Sequence, residues 1–547
     1  MLVETTLTRE LVDERAATRS WAGTLLQQAL DRAVAAGPDR VAAIDVRGRL
    51  TWAQLAEQAD ACALGLLGLG VRRGDVVVAQ LPNWNEFVVV MLAVERLGAV
   101  LNPVAPIFRQ HELRSMLRLA RPVVAVVVDE FRGFRYGPMW AELLEENESV
   151  RHLVVVGEAP PDGVAWNDLL TQGRTGPWDR AVLALLAPHP DEVAEVIFTS
   201  GTTGEPKGVM HTHNTLEAGV RLMIDAQAVG AGDVVHMAST FAHQTGYLFG
   251  ARLFIQAGAT GLFQDVWDPA AFADLVGREQ VTCSFGATPF LADVLRVPGL
   301  EERDLSSWRL FGCFGAPIPL PLLEQAAARL PCRVMPGWGM SEVALLTTTR
   351  PSDPPEKVVA TDGAPFPGCA VMVLDEAGKE AAPGEEGDLV CRSVAAFVGY
   401  VQGRAVTEAC YTDDGWFTTG DRARMDDDGF IRITGRTKDL IIRGGENVPV
   451  KEIEDVLVRH PRVAGVAVVA VPDDRLGEIG CACVLADGEP PSLDELRELL
   501  RGAGVTTQFW PERLEVVDEF PTTPSGKVQK YKLRDALTAP ASRGGSG

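Results

Sequence analysis

Apolar residues recur at two different periods along the first third of the chain. Stretches with apolar residues three and four positions apart, as on one face of a helix, alternate with short runs rich in β-branched residues. The pattern predicts helices at 21–36, 51–67 and 84–97, and strands at 75–80, 123–129 and 152–156. Helices that alternate with strands in this way indicate a layered α/β architecture.

The middle of the chain changes this pattern. A second α/β block with shorter elements spans 233–334, where a helix is predicted at 268–279 and a strand at 281–285. After Gly363 short apolar runs are separated by Gly-, Pro- and Asp-rich turns, which predicts a small β-rich subdomain. The turn signals lie at 375–379, 383–386 and 426–429.

A further boundary is predicted near 435–439, where a compact α/β pattern begins. Beyond it the sequence predicts a helix at 450–458, with Ile453, Val456 and Leu457 on one face, a buried strand at 463–471 and a helix at 493–500. We therefore expect a large N-terminal domain and a small, mobile α/β C-terminal domain. The expected bounds are 1–436 and 437–540, followed by a disordered tail at 541–547.

Composition narrows the possible partners and the compartment. The formal net charge of −23 argues against nucleic acid and against an anionic membrane surface, because both repel an acidic protein. Nine cysteines without Cys-x-x-Cys spacing indicate free thiols in a reducing compartment. Residues 1–19 lack the order of a secretion signal, and no apolar run has membrane-spanning length. These features predict a cytoplasmic protein.

The segment 199–208 combines hydroxyls, glycines and one lysine. It reads Thr-Ser-Gly-Thr-Thr-Gly-Glu-Pro-Lys-Gly and directly follows the mostly apolar run 193–198. Backbone N–H groups, hydroxyls and an ammonium within ten residues suit a polyphosphate. The segment is not a Walker P-loop, because Gly208 and Val209 follow Lys207 where that motif needs Ser or Thr. The loop alone favours a solvated turn and a phosphate site equally.

Four other residues also have an ordinary explanation when each is taken alone. Glu342 after Ser341 is typical of a helix N-terminus, and Asp421 after Gly420 is typical of a turn. Trp338 is compatible with a core position, and Lys527 with a solvated loop. The repeated histidines His211 and His213 lack further Cys or His partners nearby, so we interpret them as structural.

The order of several motifs resembles the adenylate-forming superfamily of acyl-CoA synthetases, adenylation domains and beetle luciferases, over almost the whole chain. The segment 199–208 resembles its phosphate loop, and 241–243 (Phe-Ala-His) its acyl gate. The segments 315–317 (Gly-Ala-Pro) and 338–342 (Trp-Gly-Met-Ser-Glu) resemble the adenine-side elements, with tryptophan in place of the more common tyrosine. The segments 419–421 and 435–436 resemble the ribose-binding elements, and 524–527 resembles the segment that carries the catalytic lysine.

The resemblance implies ATP-dependent formation of an acyl adenylate, then transfer of the acyl group to CoA, with ATP, Mg²⁺ and CoA required. It implies catalytic roles for Lys527, His243 and Glu342, with Glu342 also binding Mg²⁺. Lys438 resembles the hinge between the domains. The implied phosphate, adenine and ribose residues are Thr199, Ser200, Gly201, Thr202, Thr203, Gly204, Lys207, Gly315, Ala316, Pro317, Trp338, Gly339, Met340, Ser341, Asp421 and Arg436. Gly444 and Gly445 resemble the loop along the CoA channel, although Gly-Gly is also a common turn.

The acid is expected to be apolar, alicyclic or of medium chain length. Amino-acid-activating relatives carry an acidic residue at the position of Ala242, which makes an amino acid an unfavourable substrate. The chain resembles cyclohexanecarboxylate and short- to medium-chain acyl-CoA ligases most, and small or apolar side chains are expected to line the pocket: Gly246, Phe249, Gly286, Ala287, Gly312 and Cys313. Two alternatives remain open, namely an adenylating enzyme that loads a carrier protein or separate ligase, and a nucleotide-binding regulatory protein.

Overall fold

The protein mixes helices and strands in two compact units. The computed structural model describes residues 5–199, 206–315, 318, 320–375, 377–436, 441–521, 528 and 530–538. The larger unit lies within 1–106, 114–199 and 207–435, and the smaller within 107–113, 206 and 436–538. The expected α/β class is confirmed. The expected boundary between 436 and 437 stays a prediction, and the tail at 541–547 lies outside the described residues.

Two large sheets form the centre of the larger unit. Most neighbouring strands in both are parallel, and the antiparallel pairs lie at the edges. The first sheet has the spatial order Ala364–Pro365, Ala344–Thr348, Arg333–Met340, Leu310–Cys313, Cys283–Gly286, Val234–Met237, Thr260–Phe263, Val41–Asp45 and Gly48–Thr51. The second has the order Lys207–Thr212, Val193–Thr199, Val100–Pro103, Val76–Gln80, Val124–Val128, His152–Val156 and Val164–Ala165.

The region after Gly363 is β-rich, as its turn signals predict. Its antiparallel sheet has the order Ala370–Leu374, Glu386–Arg392, Phe417–Met425 and Ile431–Arg436. A short hairpin elsewhere in the unit pairs Glu130–Phe131 with Phe134–Arg135. Leu389, Phe417 and Ile431 from the four-stranded sheet share a buried cluster with Trp338 and Tyr400. The β-rich region therefore packs against the segment that carries the predicted adenine-side residues.

Helices cover the two large sheets, and several begin at a side-chain cap. Thr51 and Gln54 form a capping box, and Asp268 caps a helix that has proline at its first position. These signals agree with the helices predicted at 51–67 and 268–279. The helices of the larger unit are Arg9–Ala17, Leu26–Ala36, Trp52–Gly68, Asn85–Arg96, Tyr136–Glu146, Trp166–Thr175, Val182–Leu186, His213–Gln227, Gln244–Gly246, Leu253–Ala257, Pro269–Glu279, Thr288–Leu295, Leu320–Arg329, Pro355–Ala360 and Arg404–Glu408, with a π-helix at Tyr247–Arg252, a 3₁₀ turn at Leu300–Glu302, and Gln110–Ala120 beginning among residues of the smaller unit.

The smaller unit has its own sheet and core. Its strands run Glu446–Val448, Ile441–Arg443, Gly477–Ala486 and Val463–Asp473, with Arg513–Val516 parallel to Gly477–Ala486. Its helices are Val450–Leu457, Leu493–Gly502 and Lys530–Thr538, with a 3₁₀ turn at Thr507–Phe509. Ile453, Val456 and Leu457 are buried together in its core, which confirms the helical face predicted for them.

Most elements predicted from periodicity are present with small shifts at their ends. The exception is the predicted helix at 21–36, which begins only at Leu26 because Leu25 is extended at the cap position and Gly23 has a φ angle of 65°. The π-helix Tyr247–Arg252 and the hairpin at 41–51 were not predicted. No helix in the described ranges is long and apolar enough to cross a membrane.

Candidate functional site

The structure describes about half of the predicted site residues. Thr199, Lys207, His243, Gly315 and the segment 338–342 lie within the described ranges, as do Asp421, Gly444 and Gly445. Ser200, Gly201, Thr202, Thr203, Gly204, Ala316, Pro317, Lys438 and Lys527 lie outside them, and so does the side chain of Arg436. The roles expected for these residues stay predictions.

The two ends of the predicted phosphate loop are fixed by one antiparallel strand pair. Thr199 is the last residue of the strand Val193–Thr199, and Lys207 is the first of Lys207–Thr212. The two residues are directly paired in the register of these strands. Gly208 follows at a position where a Cβ atom would lie 2.9 Å from Val401 and 3.0 Å from the Phe198 ring, so a larger residue would displace its neighbours. The strand pairing therefore holds Thr199 and Lys207, the two described side chains of the predicted phosphate site, next to each other.

Trp338 and Asp421 form a buried hydrogen-bonded pair. Trp338 lies on the strand Arg333–Met340, and its indole Nε1 donates to Oδ2 of Asp421 at 2.8 Å. Asp421 lies inside the strand Phe417–Met425 and is only 5% exposed. The backbone N–H of Asp421 donates to the hydroxyl of Thr419 at 3.0 Å. The alternative interpretation of Asp421 as a turn residue is therefore wrong, because the residue lies within the strand Phe417–Met425.

Glu342 is a buried carboxylate in the short connection between two antiparallel strands. It lies between Arg333–Met340 and Ala344–Thr348, and 6% of its surface is exposed. The alternative interpretation of Glu342 as the first residue of a helix is wrong, because the chain returns here as an antiparallel strand. Carboxylate oxygens are preferred ligands of Mg²⁺, so the donor type fits the expected metal. Within the described ranges no group of three or more His, Cys, Asp or Glu side chains surrounds a metal position.

Tyr400 connects Glu342 with Lys207, and sequence reasoning missed it. The Tyr400 hydroxyl donates to Oε1 of Glu342 at 2.8 Å. The Lys207 ammonium lies 4.6 Å from the centre of the Tyr400 ring, within cation–π distance. Burial, with the nearby Glu342 carboxylate, raises the pKa of Tyr400 far above its ordinary value, so the hydroxyl stays protonated and acts as a donor. In the sequence, Tyr400 is marked only as an aromatic residue that follows Gly399 within an apolar run, which does not indicate a site.

His211 joins the phosphate-loop strand to the segment 338–342. Its Nε2 lies 2.7 Å from the carbonyl oxygen of Ser341, and its Nδ1 lies 3.1 Å from the hydroxyl of Thr215. Burial lowers the pKa of His211 to about 4, so the ring is neutral and Nε2–H donates to Ser341. Both His211 and His213 are buried, and their packing agrees with the structural interpretation.

The predicted gate segment 241–243 begins a short helical stretch. The ring of Phe241 is fully buried and lies 5.1 Å from Phe87, whereas His243 is half-buried at the N-terminal cap of Gln244–Gly246. A Cβ atom on Gly246 would lie 2.0 Å from the carbonyl oxygen of Thr240, so this bend requires glycine. Gly246 is therefore needed for the backbone conformation of the predicted gate, in addition to any contact with the acid.

Three phenylalanines form an aromatic cluster among the residues predicted to surround the acid. Phe249 lies on the π-helix, and its ring centre is 5.4 Å from that of Phe285 and 5.8 Å from that of Phe314. A Cβ atom on Gly312 would lie 2.5 Å from Phe285 and 2.7 Å from Phe314, so glycine leaves room for the two rings. Phe285 and Phe314 were missed by the sequence analysis because neither lies in a predicted motif.

Gly444 and Gly445 form the tight turn of a hairpin in the smaller unit. They connect Ile441–Arg443 with Glu446–Val448 and have φ angles of 58° and 90°. Only glycine adopts such angles readily, so the turn alone explains both residues. Their expected place along a CoA channel stays a prediction.

Comparison with known protein families identifies the class of this protein. The profile of the family "AMP-binding enzyme" matches residues 30–401, and that of "AMP-binding enzyme C-terminal domain" matches 452–527. The chain belongs to the AMP-binding enzyme family, the adenylate-forming superfamily. The resemblance inferred from the ordered motifs is confirmed.

Several characterised relatives span nearly the whole chain. A medium-chain fatty-acid–CoA ligase of Escherichia coli is 33% identical over 94% of this chain and 90% of its own length. A salicyl-AMP ligase/salicyl-S-ArCP synthetase of Mycobacterium tuberculosis is 33% identical over 94% and 91%. The structure of the amide bond synthetase McbA from Marinactinospora thermotolerans is similar with a TM-score of 0.83, 29% identity, and coverage of 93% of this chain and 99% of McbA.

Proposed function

We propose that this enzyme converts an apolar carboxylic acid, alicyclic or of medium chain length, into its CoA thioester through an acyl adenylate. The observation that carries the proposal is that Lys207, Tyr400 and Glu342 are joined by direct contacts, and that Tyr400 shares one buried cluster with Trp338, the partner of Asp421. Residues predicted to bind phosphate, metal and nucleoside thus meet in a single region. The name of the Escherichia coli relative supports a CoA ligase.

The two half-reactions balance without a protein nucleophile. An oxygen of the substrate carboxylate attacks the α-phosphorus of ATP, and the bond to the β-phosphate oxygen breaks to release pyrophosphate. The CoA thiol then attacks the acyl carbon, AMP leaves, and the thiol proton passes to solvent. Catalysis consists of holding the reactants and neutralising charge that develops on the phosphate oxygens.

The proposal assigns a task to each of the main predicted site residues. Lys207 neutralises the departing pyrophosphate, and Glu342 holds Mg²⁺, which supplies further positive charge to the phosphates. Asp421 accepts hydrogen bonds from the ribose hydroxyls, and Trp338 orients Asp421 and presents its ring to adenine. His243 and the segment 241–246 border the acid. Lys527 contacts the carboxylate and the α-phosphate once the C-terminal domain rotates about Lys438.

The aromatic cluster supports an apolar acid. The side chains of Phe249, Phe285 and Phe314 offer the acid only apolar ring surfaces, and Ala242 has no charge that could pair with a substrate amine. Such surroundings favour aliphatic and alicyclic acids over amino acids because a buried ammonium would have no partner. The M. tuberculosis relative, whose name includes an aryl carrier protein synthetase, supports transfer to a carrier protein as the second candidate.

A hydroxamate-trapping screen tests the proposal. The enzyme with MgATP is offered aliphatic, alicyclic, aryl and polycyclic acids, with and without CoA. We expect adenylate with medium-chain or alicyclic acids, and AMP together with thioester when CoA is added. Lys527→Ala is expected to lose adenylation by at least about a hundredfold, whereas Lys379→Ala, at an exposed lysine, serves as control. Adenylate without thioester would favour the carrier protein, and no adenylate from any acid would contradict the assignment.

The state of the cysteines supports the proposed cytoplasmic location. All nine lie in the described part of the chain and are free, including Cys481 and Cys483 on one strand. Free, mostly buried thiols are typical of a reducing compartment, which supports a cytoplasmic enzyme.

A further inference from the structure

A cavity in the larger unit has arginines from three separate parts of the chain. It measures about 520 Å³ and lies against the outer side of the helix His213–Gln227. We call it the arginine cavity. Its charged lining residues are Arg15, Arg19, Arg221, Arg350 and Asp225. None of these residues belongs to the candidate nucleotide or acid site.

The charge of this cavity is opposite to that of the chain. Four guanidinium groups line it with one carboxylate, Asp225, in a protein whose formal net charge is −23. In the described part of the chain, the side chains of Arg15 and Arg19 donate no hydrogen bond and form no ion pair. By contrast, Arg49 and Arg278 elsewhere in the unit both pair with Glu279. Four like charges beside one carboxylate in the lining repel one another, and an anion offsets that repulsion.

Backbone carbonyls hold the other two arginines in place. Nη2 of Arg221 donates to the carbonyl oxygen of Ser20 at 2.6 Å, and its Nε donates to Glu217 at 3.1 Å. Nη2 of Arg350 donates to the carbonyl oxygen of Pro365 at 2.6 Å. A carbonyl fixes a guanidinium without cancelling its charge, whereas the Glu217 carboxylate partly compensates Arg221. Fixed guanidinium groups bind phosphate well because little side-chain entropy is lost on binding.

We propose that the arginine cavity binds a phosphorylated small molecule with at least two negative charges. Guanidinium groups match phosphate oxygens in pairs, and the cavity brings four of them together. Leu222 and Val394 provide an apolar wall for the part of the ligand that carries the phosphates. The volume falls within the range of about 300–1,000 Å³ that is usual for small-molecule sites. This second site is independent of the proposed adenylation chemistry.

Hydrogen exchange with inorganic pyrophosphate as the probe locates binding. At low ionic strength we expect pyrophosphate to protect backbone amides in 15–21 and 218–228 of the full chain. In the double variant Arg15→Gln with Arg19→Asn, the pyrophosphate concentration needed for half-maximal protection should rise at least about tenfold, because hydrogen bonds to charged groups are lost. Asparagine suits position 19 because Arg19 has a φ angle of 56°. Raising the salt concentration should weaken the wild-type protection as well.

A matched variant distinguishes binding at the arginine cavity from a general effect of net charge, and the location of the protected amides distinguishes it from binding at the nucleotide site. Arg49→Gln with Arg278→Gln removes the same charge from a paired surface position, and it should leave protection of 15–21 and 218–228 unchanged. Any protection of 199–212 reports pyrophosphate at the candidate nucleotide site, so it should persist in both double variants. The proposal is overturned if 15–21 and 218–228 show no protection, or if both double variants lose it equally.

Discussion

The hydroxyl of Tyr400 donates a 2.8 Å hydrogen bond to Oε1 of Glu342. Both side chains are buried, so this bond restrains a carboxylate that would otherwise need solvation. The same tyrosine ring lies beneath the Lys207 ammonium. One side chain therefore positions both the proposed metal ligand and the proposed phosphate-binding lysine.

Tyr400→Phe separates these two contacts, because it removes the hydroxyl and keeps the ring. We expect kcat for ATP–pyrophosphate exchange to fall about tenfold and the Mg²⁺ requirement to rise, since a hydrogen bond to a charged group contributes about 1.5–3 kcal/mol. Tyr400→Leu also removes the ring and should lose more. Tyr411→Phe, in the same aromatic cluster, is the control. An unchanged Mg²⁺ dependence in Tyr400→Phe would contradict the positioning role.

Trp338→Phe tests the pair with Asp421. The substitution keeps an aromatic face and removes the 2.8 Å hydrogen bond, so the Asp421 carboxylate loses its orientation. We expect KM for ATP to rise about tenfold, with a smaller change in kcat, because the contact acts on nucleotide binding. Trp416→Phe, whose ring packs under Arg392, is the control and should leave KM unchanged. A loss of kcat alone, with KM for ATP unaltered, would argue against this role.

Sequence periodicity is sufficient to predict the helices and strands whose signals lie within the element itself. The helix Trp52–Gly68 follows from its apolar face and its Thr51 cap, and Val76–Gln80 follows from its β-branched run. The ordered motifs identified the family because their residue types and order were enough without distances. The late start of Leu26–Ala36 shows the limit, since Trp21 and Leu25 are buried although they lie before the helix.

The site needed contacts that no local pattern encodes. Tyr400 is 58 positions from Glu342, and Asp421 is 83 positions from Trp338. Taken locally, Glu342 was compatible with a helix start and Asp421 with a turn, yet strand pairing places both among β-strands. Side-chain partners across sheets depend on register and sheet order, which the sequence alone did not supply.

Glu195 gives a prediction for the pH dependence of stability. This carboxyl is fully buried, and burial raises its pKa to about 8, although Gln244 and Arg252 oppose that shift and Glu95 adds to it. The unfolded group ionises near 4.5, so folding stability falls as pH rises from about 4.5 to 8, where only the folded form keeps its proton. Glu195→Gln should remove this loss. Its advantage over wild type in urea unfolding should grow across that range, up to about 5 kcal/mol.

Glu95→Gln is the matched control with the opposite sign. Burial acts to raise the pKa of Glu95, but Arg252 and His213 outweigh it, and the net pKa is lowered. This variant should be less stable than wild type at neutral pH, and the difference should shrink as pH falls through the folded pKa of Glu95. Equal pH profiles for Glu195→Gln and wild type between pH 5 and 8 would show that Glu195 is ionised in the folded protein.

Phe249→Leu tests whether the aromatic cluster limits the size of the acid. The ring of Phe249 contacts both Phe285 and Phe314, and removing it opens space beside them. We expect kcat/KM for larger alicyclic acids to rise relative to that for medium-chain acids, at a cost in unfolding free energy of about 0.5–3 kcal/mol. Phe272→Leu, a buried aromatic in a different cluster of the same unit, should be destabilised without a change in selectivity. Because both variants lose similar packing, a shift in selectivity confined to Phe249→Leu assigns the effect to the acid pocket, and an equal shift in both would remove the cluster from the pocket.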